Sequence, residues 1–328
     1  MQGRSVDEYR APLFIAWQLT NRCGARCITC CEESGPDEAW GDELRREEAL
    51  ALAQRIVDLG VPYVAFGGGE PLGVPFCWDL FERLTEAGVS IKLETDGSRI
   101  DDAAADRLAA LAVQCVQISV DGATAATHER VRPGSLFADV LASIGRLSVR
   151  GHPPQFVFVP TRLNVHEVVA AYDLAAALGC SAFVTGPLMR IGRAAAGWDR
   201  IACTSDEWER AADGLRRHAA SSEAPIMLSI YPWDIVTEME RRLVDPQAML
   251  LIVPNGKIKL LNALPFSPAD LRHQTLEQAW DAYRHAWHSA EVREFVAQCR
   301  CNPALLRHAN ETWPMGSSRT RIRLTSIK

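Results

Sequence analysis

Three cysteines near the start of the chain have a spacing that suits a metal cluster. Cys23, Cys27 and Cys30 form the pattern CxxxCxxC directly after an apolar run. Three thiolates in one loop can hold three irons of a cubane and leave the fourth iron open, whereas ordinary cluster proteins use four cysteines. An open iron is what a cluster needs in order to bind and reduce a ligand. A zinc loop, which usually has CxxC spacing, and a set of buried thiols are the alternatives.

A glycine-rich turn follows one strand–helix step later. It has the sequence Gly67-Gly68-Gly69-Glu70-Pro71 and closes another short apolar run. Glycines let the backbone approach a ligand closely, and a glutamate can accept hydrogen bonds from an ammonium group. Alone, this sequence is only a turn. Its position just after the three cysteines makes a ligand site the better interpretation.

The elements that must position these residues alternate between short apolar runs and amphipathic stretches. The pattern predicts strands at 13–19, 63–66, 89–94, 116–120, 155–160 and 182–185, with helices at 43–59, 76–87, 101–111, 136–150 and 165–178. Six such steps are typical of parallel β/α units wound in one hand, and a full eightfold barrel would need two more. After about residue 200 the rhythm breaks into predicted helices at 206–220 and 275–287 and a strand pair within 249–261.

Composition places the chain among globular proteins. Its 328 residues are 48% hydrophobic and 23% charged, which excludes a wholly disordered protein. We find no apolar run long enough for a membrane span and no signal-like stretch, so we expect a cytoplasmic protein without a membrane partner. In that compartment, ten cysteines favour metal ligands or buried thiols over disulfides. A net charge of −6 gives no electrostatic help to nucleic-acid binding.

Taken as a set, these motifs resemble those of the radical S-adenosylmethionine (SAM) enzymes. Residues 23–30 match the cluster motif of that family and residues 67–71 match its GGEP motif, in which the glutamate meets the amino group of SAM. The resemblance covers roughly residues 11–200 and implies an α/β fold, a partial (β/α)6 barrel of TIM type, in agreement with the six units counted above. It also implies a [4Fe-4S] cluster held by Cys23, Cys27 and Cys30, SAM as second cofactor, a 5′-deoxyadenosyl radical, and an electron donor such as flavodoxin or ferredoxin.

Further segments extend the resemblance. Residues 93–97 are similar to the TNG pattern of the family with Asp96 in place of asparagine, and residues 118–132 are similar to its SLDG…H…R segment. Residues 187–194 resemble the segment that runs past the adenosine. The resemblance therefore implies that SAM is contacted by Gly68, Gly69, Glu70, Pro71, Thr95, Ser119, Asp121 and Arg132. Position 29, usually aromatic and stacked near the adenine, is Thr29, so adenine packing must come partly from elsewhere.

The C-terminal third resembles the SPASM/twitch extension of the family, but it lacks part of the cysteine ligand set of that extension. The expected ligating cysteine is replaced within Leu260-Leu261-Asn262, and the final CxxC has become Cys299-Arg300-Cys301. An auxiliary four-cysteine site would have to add Cys180 and Cys203, which do not have the usual spacing. We therefore predict one cluster. The predicted organisation is a tail at 1–10, the barrel core at 11–200, the extension at 201–309 and a flexible tail at 310–328.

A missing auxiliary cluster favours redox-neutral chemistry, namely decarboxylation, epimerisation or dehydration. The resemblance points to a small-molecule substrate, a sugar or nucleoside in antibiotic biosynthesis. The alternatives are a maturase of a ribosomally made peptide, which would normally carry an N-terminal recognition domain, and a SPASM/twitch dehydrogenase. A cluster-binding electron carrier would have no use for the GGGEP turn. Cys180 or Cys203 could return a hydrogen atom to the substrate, and Arg190 and Arg193 could hold its carboxylate or phosphate.

Overall fold

The core of the computed structural model, which describes residues 5–317, is a ten-stranded sheet in the order β11-β9-β8-β1-β2-β3-β4-β5-β6-β7. Strands β1 to β6 each pair in parallel with the next strand along the chain. Strands β11 and β7 are the two edges of this sheet. They do not pair with each other within the described residues, so the barrel stays open. This arrangement confirms the predicted partial barrel. The strands are Phe14–Thr20 (β1), Tyr63–Gly68 (β2), Ser90–Thr95 (β3), Cys115–Ser119 (β4), Gln155–Phe158 (β5), Ala182–Thr185 (β6), Met227–Ile230 (β7), Met249–Ile252 (β8), Lys257–Lys259 (β9), Phe266–Ser267 (β10), Ala269–Asp270 (β11) and Trp313–Pro314 (β12).

The helices cover the outer face of the sheet, and several of them begin at a side chain that accepts from a free backbone N–H group. Asp101 accepts from Ala104 N at the start of α3, and Thr204 and Thr275 form capping boxes at α8 and α10. The helices are Arg46–Asp58 (α1), Cys77–Glu86 (α2), Asp102–Ala110 (α3), Ala125–Val131 (α4), Phe137–Ser148 (α5), Val168–Ala177 (α6), Gly192–Ile201 (α7), Ser205–Ser221 (α8), Ile235–Val244 (α9), Leu276–Trp287 (α10) and Ala290–Cys301 (α11). Among residues 5–317, no helix combines the length and apolarity needed to cross a bilayer.

Alternation along each strand separates the packed core from the barrel interior. Trp17 on β1 is buried against Phe66, whose ring centroid lies 5.6 Å away, and Phe66 in turn contacts Phe81 of α2. The neighbouring β1 residues Ala16 and Gln18 point the other way and line an interior cavity. Because successive side chains of a strand face opposite sides, one face of the sheet holds the helices and the other is left for a ligand.

The C-terminal third does not form the separate unit predicted from residue 201. β7 extends the parallel sheet beyond the six predicted strands, and β8 pairs in parallel with β1, with Phe14 opposite Met249. The hairpin predicted within 249–261 is present as β8 and β9, which pair antiparallel. The sequence rhythm breaks after residue 200 because α7 and α8 follow each other without a strand between them, and not because the sheet ends there.

Both predicted tails are packed where the structure describes them. Val6 is buried, and the indole Nε1 of Trp280 donates to the carbonyl oxygen of Tyr9 at 2.9 Å. At the other end, β12 pairs with β10 and Trp313 is buried. The predictions of a tail at 5–10 and at 310–317 are therefore wrong, since both segments contribute to the core. The remainder of the predicted tails, 1–4 and 318–328, lies outside the described residues.

Candidate active site

The segment between β1 and α1 carries the three cysteines, and we call residues 21–45 the cysteine loop. A long loop without secondary structure is uncommon in a compact domain unless it is functional. Glu43 closes its base, because one carboxylate oxygen accepts from Asn21 N and the other from Thr20 Oγ1, both at 2.8 Å. The same carboxylate accepts from Trp40 N at 3.0 Å. The Glu43 carboxylate, near the end of the loop, therefore holds the residues at its start.

Two other elements hold the tip of the cysteine loop. Backbone N–H groups of Arg26 and Ile28 donate to the carbonyls of Pro133 and Val131, at the end of α4. Arg193, at the start of α7, donates from Nη1 to Cys27 O at 2.7 Å and from Nη2 to Ser34 O at 2.8 Å. Arg193 therefore positions the loop, and its contact with a substrate carboxylate or phosphate stays a prediction.

The cysteine thiols are buried close enough to influence one another. Burial raises the pKa of Cys23 to about 12 and that of Cys27 to about 11, and the neighbouring thiol of the set raises each further. Within residues 5–317, no three His, Cys, Asp or Glu side chains converge as ligands of a single ion would. A cubane distributes its ligands over separate iron atoms, so it does not require such convergence. The donor set therefore fits a cluster better than the zinc alternative.

The glycine-rich turn lies against the start of the cysteine loop. Gly69 N donates to Thr20 O at 2.7 Å and Glu70 N donates to Arg22 O at 2.9 Å. A Cβ on Gly69 would overlap the carbonyl oxygen of Arg22, and Gly68 has a φ of 101° that L side chains rarely adopt. The glycines are needed here because two backbone segments approach each other closely, which brings Glu70 beside the cysteines.

Glu70 is buried and fully bonded at the carboxyl ends of β2 and β3. Its carboxylate accepts from Thr95 Oγ1 at 2.8 and 2.9 Å, from Asp96 N at 2.9 Å and from Leu72 N at 3.0 Å. Burial, and then the charge of the Asp96 carboxylate, raise the pKa of Glu70 well above its usual value. The sequence predicted a role for Thr95 at this site, and the structure places its hydroxyl directly on Glu70.

A buried ion pair lies on the other side of the cysteines. Arg132 Nη1 donates to Asp121 Oδ2 at 3.1 Å, and Asp121 Oδ1 accepts from Val159 N at 2.7 Å. Burial raises the pKa of Asp121, and Arg132 opposes that shift. The guanidinium also lies close enough to Cys27 to lower the pKa of that thiol, against the larger effect of burial. Ser119, at the end of β4, lies at the same edge of the barrel.

Two of the predicted catalytic residues lie elsewhere. Cys180 is buried just before β6, at the amino end of the strand, whereas the cysteine loop follows the carboxyl end of β1. This position gives no support to Cys180 as a hydrogen-atom donor, and that role stays a prediction. Cys203 follows α7 and lines a cavity of about 340 Å³ near the ends of β5 to β7, so its role stays a prediction. Arg190 stacks over Trp198, 5.2 Å from the ring centroid.

The cysteines of an auxiliary site would have to come from separate elements of the fold. Cys299 is buried in α11 and Cys301 is exposed at its end. Two residues apart on a helix, they point to nearly opposite faces. At the position expected to carry a ligating cysteine, Leu261 lines the interior cavity, and nearby Lys259 is buried with its ammonium donating to Ala309 O and, at 3.2 Å, to Asn262 O. The number of clusters stays a prediction.

Sequence reasoning missed the polar lining of the barrel interior. A cavity of about 300 Å³ is bounded by Gln18, Glu32, Lys92, Glu94 and Asn262 together with apolar residues of β1, β2 and β8. Lys92 Nζ lies 2.7 Å from Glu94 Oε1. The sequence of β3, Ser-Ile-Lys-Leu-Glu-Thr, did indicate this lining. Successive side chains of a strand face opposite sides, so Lys92 and Glu94 both lie on the face opposite the helices.

Comparison with known proteins adds to this geometry. The sequence pattern of the radical SAM superfamily matches residues 17–175. Over 185 residues the chain is 33% identical to the AdoMet-dependent heme synthase of Methanosarcina barkeri, covering 56% of this chain and 52% of that protein. Over 192 residues it is 33% identical to the mycofactocin maturase MftC of Mycobacterium ulcerans, covering 58% and 51%. The chain spans about half the length of these curated relatives.

Solved structures share the fold. Streptococcus suis SuiB bound to its precursor peptide SuiA superposes with a TM-score of 0.70 at 13% identity, covering 84% of this chain and 66% of SuiB. Native anSMEcpe with bound AdoMet superposes with a TM-score of 0.64 at 14% identity, covering 96% of this chain and 100% of that one. At such identities the likeness establishes the open α/β barrel and not the substrate.

Proposed function

We propose that this chain, whose residues 17–175 match the radical SAM superfamily, is a radical SAM enzyme whose substrate is a peptide. The observation that carries the enzyme class is the placement of three cysteines beside Glu70, in one braced loop at the carboxyl edge of an open barrel. A maturase name among the relatives and a precursor peptide in a solved neighbour support the substrate class.

The residues at this edge fit the two cofactors of the family, a [4Fe-4S] cluster and SAM. Bound together, these cofactors supply a 5′-deoxyadenosyl radical that removes a hydrogen atom from the substrate. Cys23, Cys27 and Cys30 would hold the cluster, and Glu70 would accept hydrogen bonds from the amino group of SAM. Arg193 keeps the cysteine loop in place, and the strands and helices around the site exclude water.

A peptide suits the interior cavity better than a sugar or nucleoside. The cavity presents a lysine, two glutamates and two amide side chains, which can bond to backbone amides and to both charged termini. The relatives described above lend no support to a sugar or nucleoside in antibiotic biosynthesis. The likeness to a haem synthase makes a tetrapyrrole the second candidate.

The positions of the cysteines support a proposal for the outcome of the reaction. An auxiliary cluster could accept an electron from a substrate radical, but Cys299 and Cys301 point to nearly opposite faces of α11 and Cys180 lies at the amino end of β6. We therefore propose a redox-neutral overall reaction, such as decarboxylation or epimerisation. This favours a lyase or an isomerase over a dehydrogenase. An external electron donor of the flavodoxin or ferredoxin kind would supply the reducing electron.

The test is anaerobic turnover with reconstituted protein, SAM and dithionite. Alone, the protein should release 5′-deoxyadenosine slowly, and short peptides encoded beside its gene should accelerate that release and undergo a mass change. Deuterium at the attacked carbon should appear in the 5′-deoxyadenosine. Stimulation by a tetrapyrrole and by none of the peptides would favour the second candidate. Absence of 5′-deoxyadenosine under every reducing condition would remove the radical assignment.

Replacing Glu70 with glutamine should weaken SAM binding by about ten- to hundredfold while iron is retained. A hydrogen bond between a carboxylate and an ammonium is charge-assisted, and losing it costs roughly 1.5–3 kcal/mol. Glutamine keeps the size of the side chain, so the bonds from Thr95 and Leu72 can persist in part. Calorimetry against wild-type protein measures the change. An unchanged affinity would mean that GGGEP is only a turn.

A further inference from the structure

We propose that Asp96 is a second anionic contact for SAM, beside Glu70, and that its charge also lowers the reduction potential of the SAM-free cluster. The inference rests on the proposed function, because it takes SAM and the cluster as the occupants of this edge. It concerns the one position of the motif at the end of β3 where this chain has a carboxylate in place of the asparagine of the family pattern.

Asp96 is buried and held in one orientation. It is 5% exposed, at the carboxyl end of β3. Its Oδ1 accepts from Ser98 N at 2.8 Å and from Ser98 Oγ at 2.6 Å, which fixes the carboxylate plane. The other oxygen, Oδ2, is thereby directed at the cysteine loop, where Cys23 Sγ lies 3.7 Å away. A buried carboxylate with one oxygen anchored and the other turned toward a ligand loop is suited to contact what that loop binds.

The charges at this edge are unbalanced. Glu70, Asp96 and Asp121 are buried carboxyl groups, and Arg132 bonds to Asp121. Among the described residues, neither Glu70 nor Asp96 has an ion-pair partner. Burial, and then the charge of Arg132, lower the pKa of the adjacent His128 to about 3, so that imidazole adds no positive charge. Buried charges without partners are costly, and a cationic ligand would relieve that cost. Glu70 and Asp96 adjoin each other, since Asp96 N donates to the Glu70 carboxylate at 2.9 Å. The sulfonium and the amino group of SAM would relieve the repulsion between these two side chains.

The contact with Cys23 gives the second part of the proposal. The 3.7 Å contact is a thiol donating to Oδ2, and a cysteine that ligates iron has lost that proton. Oδ2 then faces sulfur without a proton between them, and negative charge beside a cluster disfavours adding an electron. An asparagine could keep its oxygen on Ser98 and offer N–H donors toward the sulfur, and hydrogen bonds to cluster sulfurs are among the factors that set the potential.

The test compares Asp96→Asn with Asp102→Asn, which makes the same change of charge on an exposed carboxylate at the start of α3. Iron content is measured first, then SAM affinity by calorimetry on the oxidised protein, then the midpoint potential without SAM. We expect Asp96→Asn to retain iron, to bind SAM about ten- to hundredfold more weakly and to have a more positive potential. Asp102→Asn should match wild type in all three.

Ser98→Ala is the second variant, since it loosens the Oδ1 anchor but keeps the charge, and it should lower SAM affinity by less than Asp96→Asn. Asp96→Asn protein that holds iron and binds SAM as wild type does would overturn the proposal. Loss of iron in Asp96→Asn would also overturn it, because the carboxylate would then only hold the loop. Wild-type protein that binds iron and no SAM would contradict the proposed function itself. That result can be told apart from both results for Asp96→Asn, which concern the variant alone.

Discussion

Replacing Cys23, Cys27 and Cys30 together with alanine will remove nearly all iron from the anaerobically reconstituted protein and abolish SAM cleavage. These three thiols lie in one loop that is braced on several sides, and their removal leaves the cluster without protein ligands. Wild-type protein should carry about four irons per chain, the content of one cubane. Iron quantification with Mössbauer spectroscopy measures both values.

The matched control replaces three other cysteines, Cys180, Cys299 and Cys301, with alanine. These residues lie at the amino end of β6 and in α11, so this variant should keep its iron. A triple variant of the loop that still held about four irons would show that the cluster is elsewhere. A wild-type value near eight irons would contradict the single-cluster prediction and with it the argument for redox-neutral chemistry.

Arg132→Met will destabilise the cofactor-free protein by about 3–5 kcal/mol, the usual cost of removing one partner of a buried ion pair. Arg132 is 8% exposed and Asp121 is inaccessible to solvent, so the carboxylate would be left buried without its cation. The shift of the urea unfolding midpoint, at unchanged slope, measures the loss. The control Arg46→Met removes an exposed pair with Asp79 and should change stability far less.

A second substitution separates lost charge from lost packing. Adding Asp121→Asn to Arg132→Met removes the unpaired carboxylate, so part of the lost stability should return. Asparagine can still accept from Val159 N through its amide oxygen. A double variant as unstable as the single one would mean that the methylenes of Arg132, and not its charge, support the site. A single variant as stable as wild type would contradict the ion-pair argument.

What the sequence predicted well is local or periodic. The cysteine motif, the glycine turn and the first six strands are carried by short spacings, and the open barrel follows from their repetition. The amino-end position of Cys180 could also have been read from the sequence, since it precedes the predicted strand at 182–185. β7 was missed because Met-Leu-Ser-Ile is a four-residue run without alternation.

The rest depends on contacts between distant parts of the chain. Arg193 reaches Cys27 across a separation of 166 residues, and no pattern near either residue indicates that bond. The parallel pairing of β8 with β1 is equally remote and was not predictable from one sequence without relatives. Asp96 stood out as a departure from the family motif, but its anchoring by Ser98 required coordinates.

The side chain of Asn310 donates to Cys31 O at 2.9 Å and to Glu33 Oε2 at 2.8 Å, so the cysteine loop is completed by residues near the far end of the chain. During synthesis Asn310 leaves the ribosome 279 positions after Cys31. A nascent chain therefore presents its three thiols on an incompletely braced segment until Asn310 has been translated. Iron–sulfur assembly on this protein should accordingly be favoured after translation has passed residue 310. Before that point, oxidants would meet thiols that the finished fold buries.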